Sequence, residues 1–382
     1  MTNTALQHIV ASEILAYNEL FAKTEGIHLL TIGAPDFDVP DFVKEAGKKA
    51  IDDGFNGYAP SKGMPVLINA FVDWLDRRYT LKYDASQIIV TTGESQGLAA
   101  VMQALINPGD AVIVPTPAFP QYELCTLINR GEFIPVDTSN SQFLLTPEQL
   151  RATKQAYPHA KVVVLTYPSN PTGVTYSTEE LQAFAKVAEE LGIIVISDEI
   201  YSELVYDQAH DSIARYLPQQ TILLNGASKT YAMTGWRIGF IAAPKHLFEA
   251  IFKAHQSSTP VGSQFAQIGA ATAFNNGDDA ILTMRQAYKE RRDYLVYELT
   301  DMGFEVVSPD GAFYLFPRLP KHVHLDDKQF ATQLAIQGKV GVIPGSVFGK
   351  GGENHIRISY ATSMPVLQES MARLRHFLTQ LA

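Results

Sequence analysis

The stretch "LLNGASKTYAMTGWRIGF", residues 223–240, joins an apolar run to small residues, a lysine and, eight positions on, an arginine that opens a second apolar run. Lys229 follows Gly226, Ala227 and Ser228, a poor setting for a merely solvated charge. The first run reads as a strand that ends at the small residues. The second, "RIGFIAAP" (237–244), begins too soon after it for a crossover helix and is expected to run antiparallel. Lys229 therefore sits at the mouth of a sheet.

Outward from this pair the same rhythm recurs. Short β-branched runs stand at "QIIVTTG" (87–93), "DAVIVPTP" (110–117), "GEFIPVDT" (131–138), "KVVVLTYP" (161–168), "GIIVISDEI" (192–200) and "QTILLNG" (220–226). Helical patterns such as "SQGLAAVMQALI" (95–106) and "STEELQAFAKVAEEL" (177–191) separate most of them. Continuous apolar strands alternating with helices indicate an α/β fold with a mostly parallel sheet covered on both faces. Further helices are expected over 11–23, 40–53 and 64–79, with a short strand breaking into a turn in "HLLTIGAPDFDVP" (28–40). Beyond residue 280 a long charged helix (281–303) leads into "FEVVSPDGAFYLFPRLP" (304–320), a helix, two short strands and a last helix, an α+β pattern. The division expected is a large domain over 42–285 with a seven-stranded sheet, and a smaller α+β domain built from 1–41 and 286–382.

Bulk composition narrows the function classes. Length of 382 residues, 46% hydrophobic and 18% charged content describe a globular protein with room for two domains. A net charge of −10 argues against nucleic-acid or anionic-membrane partners. The single cysteine, Cys125, excludes an internal disulfide and reads as packing, and no basic leader or membrane-length apolar run is present. A cytoplasmic protein is expected. "PGSVFGKGG" (344–352) lacks P-loop spacing, and His322 and His324 form only an isolated H-x-H, so no metal site is expected.

The unusual polar residues follow the strands: "VTTGESQG" (90–97), "LTYPSNPTG" (165–173), "VISDEIY" (195–201) and "LLNGASK" (223–229). Ligands of open α/β sheets bind outside the carboxyl ends of the strands, so Asn170, Asp198, Tyr201 and Lys229 are expected in one crevice. Asp198 ends an apolar run and wants a cationic or hydrogen-bonding partner, although a helix cap before "EIYSEL" is the alternative. A desolvated lysine loses pKa and becomes a nucleophile toward a carbonyl. Gly93, Glu94 and Ser95 open a helix whose amides suit an anion, to which Arg237 adds a bidentate contact. An aldehyde bearing a phosphate and a ring nitrogen, pyridoxal 5′-phosphate, uses all of these groups.

"YPSNPTG" (167–173), "SDEIYSEL" (197–204), "SKTYAMTGWRIGF" (228–240), "GAFYLF" (311–316) and "IRISYA" (356–361) occur in an order that resembles the class I/II aminotransferases, the fold type I enzymes dependent on pyridoxal phosphate. The resemblance covers essentially the whole chain and lies nearest bacterial aromatic-amino-acid and N-acetyl-diaminopimelate aminotransferases. It implies that Lys229 anchors the cofactor and shuttles the proton, that Asp198 holds the pyridine nitrogen protonated, and that Asn170 and Tyr201 bond the phenolic oxygen. It implies further that Phe119 stacks on the ring and that the backbone of Glu94 joins Ser95, Ser228 and Arg237 in a phosphate cup. Tyr58 would reach the neighbouring subunit's phosphate in a homodimer with shared sites. Arg357 would clamp the substrate α-carboxylate with Gly33 close by. Taken singly, Arg357 also reads as a rim salt bridge, and Tyr58 and Phe119 as packing.

Three departures from the family pattern stand out. Ala34 replaces a carboxylate in "GAPDF", Ser95 replaces a lysine found in relatives active on acidic substrates, and Gly226 replaces a phosphate-binding serine, which implies a looser cup. The activity implied is transfer of the α-amino group of an aromatic or otherwise bulky amino acid to a 2-oxo acid such as 2-oxoglutarate by a ping-pong mechanism. N-acetyl-diaminopimelate or aspartate donors and a same-fold C–S β-lyase, acting on cystathionine-like substrates, are the alternatives. A regulator that binds the cofactor without turnover is disfavoured by the acidic charge and by a cofactor fold that starts within the first 30 residues.

Overall fold

The computed structural model describes residues 4–7, 9, 12–259 and 262–381. Among these described residues, twelve strands form three sheets. In chain order they are β1 (His28–Leu29), β2 (Ile88–Thr92), β3 (Ala111–Thr116), β4 (Glu132–Asp137), β5 (Ala160–Thr166) and β6 (Ile194–Asp198). They continue as β7 (Thr221–Gly226), β8 (Ile238–Ala242), β9 (Tyr314–Leu315), β10 (Val340–Gly341), β11 (Ile343–Pro344) and β12 (Ile356–Ser359). The seven runs picked out in the sequence are the seven strands of the main sheet, in the order β2-β8-β7-β6-β5-β3-β4. All its pairings are parallel except those of β8, which lies antiparallel between β2 and β7.

Both faces of this sheet are buried, which is why its strands read as unbroken apolar runs. Side chains alternate across it. Ile89, Val112, Val164, Ile196, Ile222 and Ile241 pack on one face with the helices Glu94–Leu105 and Lys245–Ser258. On the other face Val90, Leu223 and Phe240 meet Phe71, Trp74 and Phe274, and Val163, Leu165 and Val195 meet Leu181 and Phe184. The helix Thr178–Glu190 starts where a capping box dictates, Ser177 and Glu180 satisfying each other's end amides. The helix Pro65–Tyr79 begins with proline at its first turn and ends at Thr80 in a left-handed conformation.

The helices expected at 11–23, 40–53 and 64–79 span Glu13–Phe21, Asp41–Asp52 and Pro65–Tyr79; Ala11 of the first expectation lies outside the described residues. Past residue 280 the α+β pattern appears as the antiparallel sheet β11-β12-β9 and the helices Asp327–Gln333 and Met364–Leu381. The N-terminal segment joins this region. β1 pairs in parallel with β10, and Phe21 and Leu30 share a core with Leu295, Phe330 and Leu374. The boundary expected at residue 285 falls inside one continuous helix, Asp278–Asp301. No helix among the described residues is long and apolar enough to cross a membrane.

Candidate active site

The antiparallel β8 explains the spacing that opens the sequence reading. Lys229 follows the carboxyl end of β7, and Arg237 precedes the amino end of β8, so reversal of the chain returns both to the same edge of the sheet. Gly93 and Glu94 follow β2, Phe119 follows β3, Asn170 follows β5 and Asp198 ends β6. A cavity of about 420 Å³ at this edge is lined by Gly33, Glu94, Ser95, Phe119, Asn170, Asp198, Tyr201, Ser228, Lys229, Arg237 and Arg357. The sequence candidate not on its wall is Tyr58, whose side chain is 91% exposed.

Lys229 is held deep in this cavity by a hydrogen bond from Nζ to the carbonyl oxygen of Gly33 at 2.5 Å. A Cβ at Gly33 would crowd the Tyr314 hydroxyl at 2.5 Å, so a larger residue there would push that side chain aside. Burial lowers the Lys229 pKa to about 8, partly countered by Glu94 and reinforced by Arg237 and Arg357. The amine is therefore substantially neutral, and nucleophilic, at mildly alkaline pH.

Asp198 is buried, and burial raises its pKa to about 6 against the pull of its donors. The Tyr122 phenol donates to Oδ2 at 2.6 Å and the Ile200 amide to Oδ1 at 3.2 Å. The helix cap considered for Asp198 is not what forms: residues 200–203 make turns, and the carboxylate caps only the first of them. Asn170 and Arg357 meet directly, Nη1 donating to Oδ1 at 2.9 Å while Nη2 donates to the Thr31 carbonyl at 2.7 Å. The guanidinium also lies over the rings of Tyr314 and Phe348, at 4.6 and 5.0 Å. The rim salt bridge is not what forms: Arg357 is buried among aromatics and has no carboxylate partner among the described residues. Tyr201 shares a 2.9 Å hydrogen bond with Tyr314, and burial pushes its phenol well above the usual range.

Gly93 holds a positive φ of 76° at the start of the helix Glu94–Leu105, with the Arg237 guanidinium packed where a side chain would stand. Gly226, from which a looser or water-filled cup is expected, has a packing reason of its own. A Cβ at Gly226 would lie 2.7 Å from the Ile238 carbonyl oxygen and 3.2 Å from the Gly239 Cα, so the close approach of β7 and β8 demands glycine. Cys125 is buried beneath the site with its thiol pushed up to about 11, which suits packing and not nucleophilic chemistry.

Three contributors escaped the sequence reading. Tyr122 stands one helical turn after Phe119, a spacing that would have marked it. Tyr314 lies within the quoted "GAFYLF", but nothing local in that motif announces its contact with Tyr201. The Glu94 side chain, passed over in favour of its backbone, belongs to a residue of the cavity wall, and its Oε1 is buried without a hydrogen-bond partner.

The donor set fits pyridoxal 5′-phosphate. A buried lysine with a lowered pKa, a buried carboxylate on the same cavity wall and an arginine beside a helix amino terminus match its aldehyde, its ring nitrogen and its phosphate. The comparisons agree. The model of "Aminotransferase class I and II" matches residues 25–374. The chain is 43% identical to a probable N-acetyl-LL-diaminopimelate aminotransferase of Bacillus subtilis, over 99% of this chain and 95% of that protein. It is 35% identical to aromatic-amino-acid aminotransferase 2 of Thermococcus litoralis, covering 98% and 97%. Its fold superposes on the aspartate aminotransferase of Rhizobium meliloti with a TM-score of 0.95 at 32% identity, covering all of both chains. With the site's geometry and these likenesses together, the chain belongs to the class I and II aminotransferases, enzymes that work with pyridoxal 5′-phosphate.

Proposed function

We propose that the enzyme moves the α-amino group of an amino acid with an aromatic or otherwise bulky side chain to a 2-oxo acid such as 2-oxoglutarate, in two half-reactions. The cavity wall carries this choice of donor. Ile14, Leu15, Ile32 and Phe119 line it, and among the described residues its cations are Lys229, Arg237 and Arg357. Each of the three has work close to the reacting atoms, which leaves none for a second carboxylate on the donor. Asn18, also on the wall, is a polar group left for the acceptor's distal end.

The bound cofactor supplies a carbonyl carbon for amine exchange and an electron sink. Lys229 is its covalent anchor and, once released, the base that takes the proton from the substrate Cα. Asp198 keeps the ring nitrogen protonated, oriented by Tyr122. Asn170 has its Oδ1 committed to Arg357, so its amide hydrogens are the ones free to bond the phenolic oxygen, together with the Tyr201 hydroxyl. Phe119 stacks on the ring. The amides of Glu94 and Ser95, the hydroxyls of Ser95 and Ser228 and the guanidinium of Arg237 take the phosphate. Arg357 takes the substrate α-carboxylate beside Gly33.

The active unit is read as a cytoplasmic homodimer with shared sites. Tyr58, Phe42, Ile51 and Phe55 are all exposed on one stretch of chain, an apolar surface that a second copy would cover while Tyr58 reaches its phosphate. A second donor reading, N-acetyl-LL-diaminopimelate, is favoured by the 43% identity to the Bacillus subtilis protein. Steady-state assays with aromatic amino acids, aspartate and N-acetyl-LL-diaminopimelate, each with 2-oxoglutarate, separate these donors. Higher kcat/KM for aspartate than for phenylalanine or tyrosine contradicts the bulky-donor reading. Pyruvate and ammonia released from cystathionine without any 2-oxo acid would favour the lyase instead.

A further inference from the structure

Glu94 places a buried carboxyl group beside residues assigned to the phosphate. It is the first residue of the helix Glu94–Leu105, it lies on the cavity wall with Ser95 and Arg237, and Arg237 packs against the preceding Gly93. The groups facing its carboxyl are Asp198 from β6, Lys229 from the helix after β7, Arg237 from the start of β8, and Tyr122 and Cys125 from the helix Gln121–Ile128. None of them donates to it. The Tyr122 phenol is engaged by Asp198 and Thr166, Lys229 Nζ by the Gly33 carbonyl, and Arg237 Nη1 by the Thr234 carbonyl. Oε1 is left buried and unpartnered.

An ionised carboxylate in that position lacks donors and stands beside a second carboxylate, a costly arrangement in a buried site. A protonated one has the opposite need, an acceptor. Each Asp198 oxygen already accepts one hydrogen bond and the carboxylate's remaining capacity is assigned to the ring nitrogen, so the new acceptor a loaded site brings is the phosphate ester. Burial and Asp198 both push the Glu94 pKa well above the usual carboxylate range, in line with this geometry.

We propose that Glu94 binds the cofactor phosphate as a neutral carboxylic acid, donating a hydrogen bond to the ester, so that its own contribution to cofactor affinity falls as pH rises. The linkage has that sign because the bond to the ester stabilises the protonated form further, so the Glu94 pKa is higher in the complex than in the free protein and binding takes up a proton between the two values. The inference rests on the phosphate cup assigned above and adds the side chain that the cup reading leaves unused.

The test is cofactor retention, measured by equilibrium dialysis of the holoenzyme over about pH 6 to 9, for the wild type, Glu94→Gln and Glu94→Ala. Phosphate-free pyridoxal serves as the comparison ligand, and circular dichroism checks the fold of each variant. The glutamine variant, which keeps a donor and cannot ionise, should match the wild type at the acid end and hold the cofactor more tightly than the wild type toward the alkaline end. The alanine variant should hold the cofactor roughly tenfold more weakly at the acid end. With pyridoxal the three should coincide. The phosphorus NMR signal of the bound ester should shift with pH in the wild type through a step that Glu94→Gln lacks. Parallel pH profiles for wild type and Glu94→Gln overturn the proposal, as does alanine retention equal to or better than wild type at the acid end. A Glu94 effect that persists with pyridoxal also overturns it. Arg237→Ala separates the two layers: if it too leaves phosphate-selective retention intact, the cup reading fails, whereas if it alone abolishes it, only the role of Glu94 fails.

Discussion

The Tyr122 phenol donates to Asp198 Oδ2 across 2.6 Å, while the Ile200 amide holds Oδ1 of the same carboxylate at 3.2 Å. A buried acid whose pKa has risen to about 6 is kept usable by these two donors. Tyr122→Phe removes the stronger one, leaving burial less opposed, so the Asp198 pKa should rise further. The half-reaction with an amino acid should slow by about tenfold near neutral pH and recover partly as pH is raised. Stopped-flow pH profiles of both proteins check this; a uniform loss at every pH would assign Tyr122 to packing.

Lys229→Ala should leave a folded protein that binds the cofactor without covalent attachment. Its turnover should fall by at least about a thousandfold, since one group serves as both anchor and proton carrier. Steady-state assays with a good donor decide it, and substantial turnover would remove Lys229 from the chemistry.

Covalent capture of the cofactor by apoenzyme should follow the neutral fraction of Lys229. Its depressed pKa means the charged form is lost as pH rises through about 8, so the capture rate should climb toward a plateau above that value. Rapid-mixing absorbance at a series of pH values measures the midpoint. A midpoint near the ordinary lysine range would show that burial does not tune this amine.

Arg357→Lys should raise KM for the amino donor more than it lowers kcat. It loses the planar fork and the stacking on Tyr314 and Phe348. It also weakens the bonds to Asn170 and the Thr31 carbonyl. A drop in kcat/KM of roughly a hundredfold is expected, within the range for breaking a buried charge contact. Thermal melting of the holoenzyme separates this from general destabilisation.

Gly226→Ser, which restores the family's serine, should destabilise the protein and not tighten the cup. The nearest atoms to the new side chain are the Ile238 carbonyl and the Gly239 Cα of the paired strand. Overpacking of this kind costs roughly 1–3 kcal/mol. A lower melting temperature with unchanged cofactor affinity is the expected pair of results.

The sheet was legible because both of its faces are buried, which writes each strand as a continuous apolar run, and because the short gap between 226 and 238 leaves β8 no room for a crossover. Strand ends then marked Asn170, Asp198 and Lys229 as neighbours. Contacts made only in the folded chain were not legible. No local pattern pairs Tyr122 with Asp198 or Tyr201 with Tyr314, and the helix cap stood as an alternative for Asp198 because the turn after it mimics a helix start. Gly226 looked like missing chemistry because the constraint on it comes from the opposite strand.

The central claim is tested most directly by mixing holoenzyme with single amino acids, no acceptor present, and following the cofactor's visible absorption. Aromatic or other bulky amino acids should convert it to the amine form, and added 2-oxoglutarate should restore it. Conversion by none of the amino acids, N-acetyl-LL-diaminopimelate included, would contradict the account.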